Sequence, residues 1–299
     1  MRIKSTEIVD TFAEAFEMWG TRMIITADAP EWADAAARSV TGFATSVIGC
    51  KCEAGVERVL SPDETPDGRP GVSVLLFAFD PDGVANRLVE RIGQCVMTCP
   101  TTACFNGLEA KKNVVVGGKL RYFGDGYQIG KRLDGARFWR IPVMDGEFVV
   151  TDRFGVQAAV GGGNILISGT SSAACLSAAK AATAAMREVP GVILPFPGGV
   201  VRSGSKVGSK YKELPASSNQ AYCPTLRGFV PQTNVAKGVG CVLEIVIDGL
   251  DLKAVEEAMQ RGLHAAVKPG IKQISAGNYG GDLGKYHIGL HGLVGGKVA

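Results

Sequence analysis

The sequence predicts an α+β protein of two ferredoxin-like (split β-α-β) lobes related by internal duplication, with β-hairpin insertions. Three observations carry this expectation. The chain has 299 residues, 46% of them hydrophobic and 20% charged, which is enough apolar material for a sizeable core. Strand-like and helix-like runs follow one another as β-α-β, β-α-β, and this order occurs twice. Finally, the segments that follow the second strand of each half match each other.

In the first half, residues 22–26 (Arg-Met-Ile-Ile-Thr) are rich in β-formers and lead into an Ala-rich helical stretch at 30–40. Residues 46–50 (Ser-Val-Ile-Gly-Cys) read as the second strand, 71–79 as the third, and 82–94 as the second helix. The second half repeats this with a strand at 165–168, a helix at 174–188, strands at 191–194 and 240–248, and a helix at 251–266. Residues 52–58 (Cys-Glu-Ala-Gly-Val-Glu-Arg) align with 196–202 (Phe-Pro-Gly-Gly-Val-Val-Arg). Each helix is amphipathic and needs a sheet to cover. The expected lobes are therefore 1–152 and 153–299. Residues 119–155 are rich in Gly, aromatic and β-branched types. They predict hairpins at 120–129, turning at Gly124-Asp125-Gly126, and at 138–150, turning at Asp145-Gly146. Insertions of this length carry oligomer contacts or an active-site wall.

Composition excludes several classes of function. A net charge of +3 without a dense Lys/Arg run gives no footprint for nucleic acid. The N-terminal residues lack the apolar run of a signal peptide, and the longest apolar stretches are strand-sized, so no membrane partner and a cytoplasmic location are expected. The eight cysteines sit mostly in apolar contexts, as reduced thiols do. Cys50-Lys51-Cys52 lacks paired C-x₂-C spacing, and a CxxxCxxC run from Cys95 would need Cys where Thr102 stands. His264, His287 and His291 stand beside no obvious nucleophile. No metal site is predicted.

Three places carry candidate chemistry. Overlaying the halves puts Glu244 where the first half has Leu75, in a strand where it shares a face with Val242 and Val246. A carboxylate there is either an acid/base group with a raised pKa or a member of an ion pair or exposed edge. Residues 203–212 (Ser-Gly-Ser-Lys-Val-Gly-Ser-Lys-Tyr-Lys) follow Pro197-Gly198-Gly199. Their hydroxyls and charges at Ser205, Lys206, Ser209 and Lys210 suit a phosphate or carboxylate, or else form a solvated basic loop. Residues 275–281 (Ser-Ala-Gly-Asn-Tyr-Gly-Gly) are a ligand-facing turn or a plain hairpin loop.

At these residues the chain resembles the formylmethanofuran:tetrahydromethanopterin formyltransferases along essentially its whole length. The resemblance rests on Asp10-Thr11-Phe12-Ala13-Glu14-Ala15-Phe16, Glu64-Thr65-Pro66-Asp67-Gly68-Arg69-Pro70-Gly71, and Arg91-Ile92-Gly93-Gln94-Cys95-Val96. It continues through Tyr122-Phe123-Gly124-Asp125-Gly126, Pro195-Phe196-Pro197-Gly198-Gly199, Ser205-Lys206-Val207-Gly208-Ser209-Lys210, Tyr222-Cys223-Pro224-Thr225 and Ile274-Ser275-Ala276-Gly277-Asn278. The resemblance implies a homotetrameric acyltransferase that uses no cofactor and takes tetrahydromethanopterin and methanofuran-type carriers as substrates. It implies Glu244 as the catalytic residue. Gly198, Gly199, Ser205, Lys206, Ser209, Lys210 and Asn278 are the candidates for carrier binding. The alternative is a non-catalytic docking subunit of a larger formyltransferase/hydrolase complex.

Overall fold

The computed structural model describes residues 1–133 and 135–295, and the chain divides into two compact units. One is Met18–Ala159, and the other joins Met1–Glu17 to Val160–Ala299. The expected lobes, 1–152 and 153–299, differ from these units at residues 1–17 and 153–159. Both boundaries fall inside single long strands, Phe12–Thr26 and Arg153–Gly169, where the period of two continues and no turn marks a break. Residues 134 and 296–299 of the expected lobes lie outside the described residues.

In the first unit, residues 18–26 pair antiparallel with Gly71–Ala78 on one side and with Ala103–Asn106 on the other. Glu53–Leu60 completes the sheet beside Gly71–Ala78. In chain order the strands lie 2-3-1-4, with helices in the two β-α-β crossovers, which is the split β-α-β arrangement. Helix Pro30–Thr41 starts on a proline and buries Ala33, Ala36, Ala37 and Val40, an i, i+3, i+4, i+7 stripe. Helix Pro81–Arg91 is capped by Asp80, whose carboxylate accepts from the Gly83 amide at 2.7 Å. Their apolar faces meet Ile25, Val72, Val74 and Leu76 in one core.

The second unit repeats the order. Residues 160–169 lie between Cys241–Gly249 and Ile271–Ser275, with Val192–Ile193 beside Cys241–Gly249. Helices Ser172–Met186 and Leu252–Ala266 are capped by Ser171 and Asp251. They bury Ala178, Ala182, Met186, Ala258 and Leu263 against Ile165, Ile167, Ile245 and Ile247. All of these sheet residues are odd-numbered, so the even-numbered residues of the same strands form the other face.

Two predicted elements are corrected. Residues 46–50 are not a strand. Val47–Cys50 is a helical turn closed by Lys51 at φ 65°, and the Val47 amide donates to the Glu53 carboxylate at 2.9 Å. The second strand is Glu53–Leu60. Residues 120–129 are not a hairpin, because Gly117–Leu120 and Arg121–Gly124 are helical turns ended by Asp125 in the left-handed region. The hairpin predicted at 138–150 is present as Ala136–Val143 and Gly146–Thr151, joined at Val143↔Gly146, and Ile129–Leu133 adds a third strand. The predicted strand at 191–194 shrinks to Val192–Ile193. Among the described residues no helix is long and apolar enough to cross a membrane.

Candidate active site

Glu244 lies in the middle of strand Cys241–Gly249 and is only 5% exposed. Alternation turns Leu243, Ile245 and Ile247 into the helix-side core and leaves Glu244 on the other face. Its Cα partner is Leu166, which on its far side pairs with Ser275, so Glu244, Leu166 and Ser275 form one row on one face. At the outer edge Val201 exchanges both backbone bonds with Glu244, at 2.7 and 3.0 Å. The turn Pro197–Gly199 delivers Val201 there. Gly198 and Gly199 have φ of 66° and 84°, and a Cβ on Gly199 would stand 3.0 Å from the Leu194 and Thr183 side chains.

After Val201 the chain brings Ser205 to Glu244, where the Ser205 hydroxyl donates to Oε1 at 2.6 Å. Oε2 is buried and has no partner among the described residues, and no cation forms an ion pair with the carboxyl there. Burial pushes the Glu244 pKa up, and the Ser205 hydroxyl only partly opposes the shift. Burial therefore favours the neutral carboxylic acid, in which Oε1 accepts from Ser205 and Oε2 is the oxygen left to carry the proton. Such an acid can donate a hydrogen bond or a proton to a reacting atom. The sequence left an ion pair and an exposed edge open as alternatives, and the geometry fits neither.

The remaining predicted residues fall into three groups. Lys206 follows Ser205 in the short strand Lys206–Val207, paired with Ala216–Ser217, and its ammonium donates to the Gln220 side chain at 2.6 Å. Ser209 accepts from the Tyr211 amide at 3.0 Å, and Lys210 is exposed. These side chains lie along one excursion but do not converge with Glu244 in any described contact. Gly198 and Gly199 act through the backbone, as above. Asn278 ties its loop to the N-terminal strand, donating to the Thr11 hydroxyl and the Phe12 carbonyl at 3.1 Å and accepting from the Gly280 amide.

Sequence reasoning missed two side chains, one that holds the segment carrying Ser205 and one in the same cross-strand row as Glu244. The Tyr279 hydroxyl donates to the Ser205 carbonyl at 2.9 Å and accepts from the Val207 amide at 3.2 Å. The Ser275 hydroxyl is buried without a partner among the described residues. Both belong to the 275–281 cluster, where the glycines drew attention to the backbone instead of the side chains. All eight cysteines are free thiols, and among the described residues no group of three or more His, Cys, Asp or Glu side chains could hold a metal.

Residues 1–143 match the family model described as "Formylmethanofuran-tetrahydromethanopterin formyltransferase", and residues 146–293 match "FTR, proximal lobe". A formylmethanofuran--tetrahydromethanopterin formyltransferase of Methylococcus capsulatus is 56% identical over 98% of this chain and 100% of its own length. A component of the formyltransferase/hydrolase complex of Methylorubrum extorquens is 52% identical over 98% of this chain and 97% of its own. Two solved structures share the fold. The Methanosarcina barkeri formyltransferase superposes with TM-score 0.92 at 49% identity, covering 98% of this chain and 100% of its own. The formyltransferase/hydrolase complex of M. extorquens in complex with methylofuran gives 0.95 at 52% identity, covering 98% of both chains.

Proposed function

Because the chain belongs to the formylmethanofuran-tetrahydromethanopterin formyltransferase family, we propose that it is an acyltransferase moving a formyl group between a methanofuran-type carrier and tetrahydromethanopterin. A pterin ring nitrogen attacks the carbon of the formyl amide and a tetrahedral intermediate forms. The C–N bond to the carrier amine then breaks as that nitrogen takes up a proton. The proton lost by the attacking nitrogen balances the one gained by the leaving amine. Glu244, protonated on Oε2, supplies the hydrogen bond or proton on this path. Lys206, Lys210 and Ser209 lie on the excursion that brings Ser205 to Glu244, and their charge and hydroxyl suit the anionic tail of a carrier. No cofactor or metal enters the scheme.

The observation that carries this reading is the buried Glu244 carboxyl, with one oxygen held by Ser205 and the other without a hydrogen-bond partner among the described residues. The test is transfer from the formylated carrier to tetrahydromethanopterin, followed by the pterin absorbance. Turnover by the purified chain supports the reading, and none under conditions where a relative turns over would contradict it.

A second reading is favoured by the M. extorquens relative, namely that the chain works as part of a formyltransferase/hydrolase assembly. The insertion of the first unit exposes Tyr122, Phe123 and Tyr127 at 67–79%, next to the fully exposed strand Ile129–Leu133, a surface suited to contact with other chains. We place the protein in the cytoplasm as a homotetramer or within such an assembly. Mass measurement of the purified and co-purified protein separates the two states.

A further inference from the structure

Ser205 is outside regular structure, yet its hydroxyl must stay on Glu244 Oε1 for the proton to stay on Oε2. The group that holds it is Tyr279. One phenol pins both sides of the segment, donating to the carbonyl of Ser205 and accepting from the amide of Val207. Tyr279 is itself held. Its ring packs on Phe16 with centroids 6.3 Å apart, and its amide donates to Glu14 Oε2 at 2.6 Å. Glu14 is 1% exposed and accepts from three further amides, those of Gly281, Leu283 and Gly284. The four amides converge because Gly280 and Gly281 adopt φ of 82° and 88°. Burial opposes charge on Glu14, but these amides outweigh it and hold its carboxyl below the ordinary range. From the sheet side, Asn164 clamps the same loop, donating to the Gly277 carbonyl and accepting from the Gly277 amide at 2.6 Å.

We infer that Tyr279 is a positioning residue for formyl transfer: its hydroxyl, anchored through the Glu14 nest, fixes residues 205–207 so that Ser205 occupies Oε1 of Glu244 and the proton stays on Oε2. The inference rests on Glu244 as the proton donor. Tyr279 does not itself supply the proton, since its own is held by the Ser205 carbonyl. Among the described residues, Tyr279 is the titratable group whose own titration feels the charge of Glu244, Asp248 lies four residues on along the same strand face, and Lys206, next to Ser205, donates to Gln220. Burial raises the Tyr279 pKa, and the charges of Glu244 and Glu14 add to the rise, so the phenol stays neutral as Glu244 titrates. Burial raises the Glu244 pKa and the Ser205 hydroxyl is the group that lowers it, so releasing Ser205 moves the titration of Glu244 to higher pH.

The test is the pH dependence of kcat for wild type, Tyr279→Phe, Ser205→Ala and the double variant, with Glu244→Gln as reference. Tyr279→Phe keeps the ring and removes both bonds of the hydroxyl. It is expected to lower kcat about tenfold with KM within about twofold, and to shift the alkaline limb upward as Ser205→Ala does. The double variant should be no slower than Ser205→Ala alone, because the two changes act through one contact. A Tyr279→Phe limb that coincides with wild type while Ser205→Ala shifts overturns the inference, and so do fully multiplicative losses in kcat. If Tyr279→Phe fails to fold, Glu14→Gln must give the same upward shift, and an unmoved limb there is equally contrary. Undiminished turnover by Glu244→Gln would refute the acid role itself, and with it the inference. Slow Glu244→Gln with an unmoved Tyr279→Phe limb refutes only the positioning.

Discussion

The two units share one fold and treat a buried carboxylate in opposite ways. In the first unit the Glu57 side chain, 4% exposed, receives the guanidinium of Arg22 at 2.6 and 2.7 Å and the hydroxyl of Ser73 at 2.6 Å, so both its oxygens are occupied. In the second unit Glu244 receives one hydroxyl and no cation among the described residues. The cross-strand pairs explain the difference. Leu75 faces Arg22 in the first unit, while Glu244 faces Leu166 in the second, so the charged position has moved one strand over and lost its counter-ion. The connection from second to third strand also differs. In the first unit it is the short stretch 61–70, locked by Arg58–Glu64 and Arg69–Asp67 ion pairs. In the second it is the long excursion that carries Ser205 and the lysines. A paired carboxylate supports the fold, and an unpaired one is available for chemistry.

This contrast predicts separable effects. The largest belongs to Glu244→Gln, which should lower kcat at least about a hundredfold while the fold persists. Circular dichroism and turnover on one preparation check both parts. Glu57→Gln should do the reverse. It leaves Arg22 without its full partner and lowers stability by about 1–2 kcal/mol, discounted because Arg22 is a quarter exposed. Turnover of the folded enzyme should stay near wild type. A Glu57 variant that loses turnover but not melting temperature would break the comparison.

Acid behaviour sharpens it further. The folded-state pKa of Glu14 is depressed, so its contribution to stability is present above its ordinary value of 4.5 and is lost as pH falls through the lower folded value. The folded-state pKa of Glu244 is raised, so its contribution is present below 4.5 and is lost as pH rises through the higher folded value. Glu14→Gln should therefore lower the melting temperature at neutral pH and flatten its decline in acid. Glu244→Gln should instead raise it slightly at neutral and alkaline pH. Scanning calorimetry across pH reads both. The smallest effect is expected from Lys206→Ala or Lys210→Ala, a rise of about threefold in KM with kcat unchanged that shrinks as salt is added.

The fold class was legible because amphipathic helices and β-rich strands are local signals, and the duplication states each of them twice. Glu244 was legible for the same reason, since its counterpart is leucine. The boundary inside Arg153–Gly169 was not, because a strand that continues through it has no punctuation in sequence. The Gly-Asp-Gly at 124–126 misled because left-handed residues end helical turns as well as hairpins. The contacts of Tyr279 and Glu14 could not be read, although both residues fall in stretches that the sequence singles out. Their partners lie 74 and 265–270 residues away, and no spacing rule connects them.

The central claim is that Glu244 is a carboxylic acid, protonated on its unpartnered oxygen. Difference infrared spectroscopy of wild type against Glu244→Gln measures this directly through the carbonyl stretch of a protonated carboxyl. The account predicts a band lost in the variant that persists in wild type well above pH 4.5 and disappears in a single titration at higher pH. A band that vanishes at or below pH 4.5, leaving carboxylate signal at neutral pH, would contradict it.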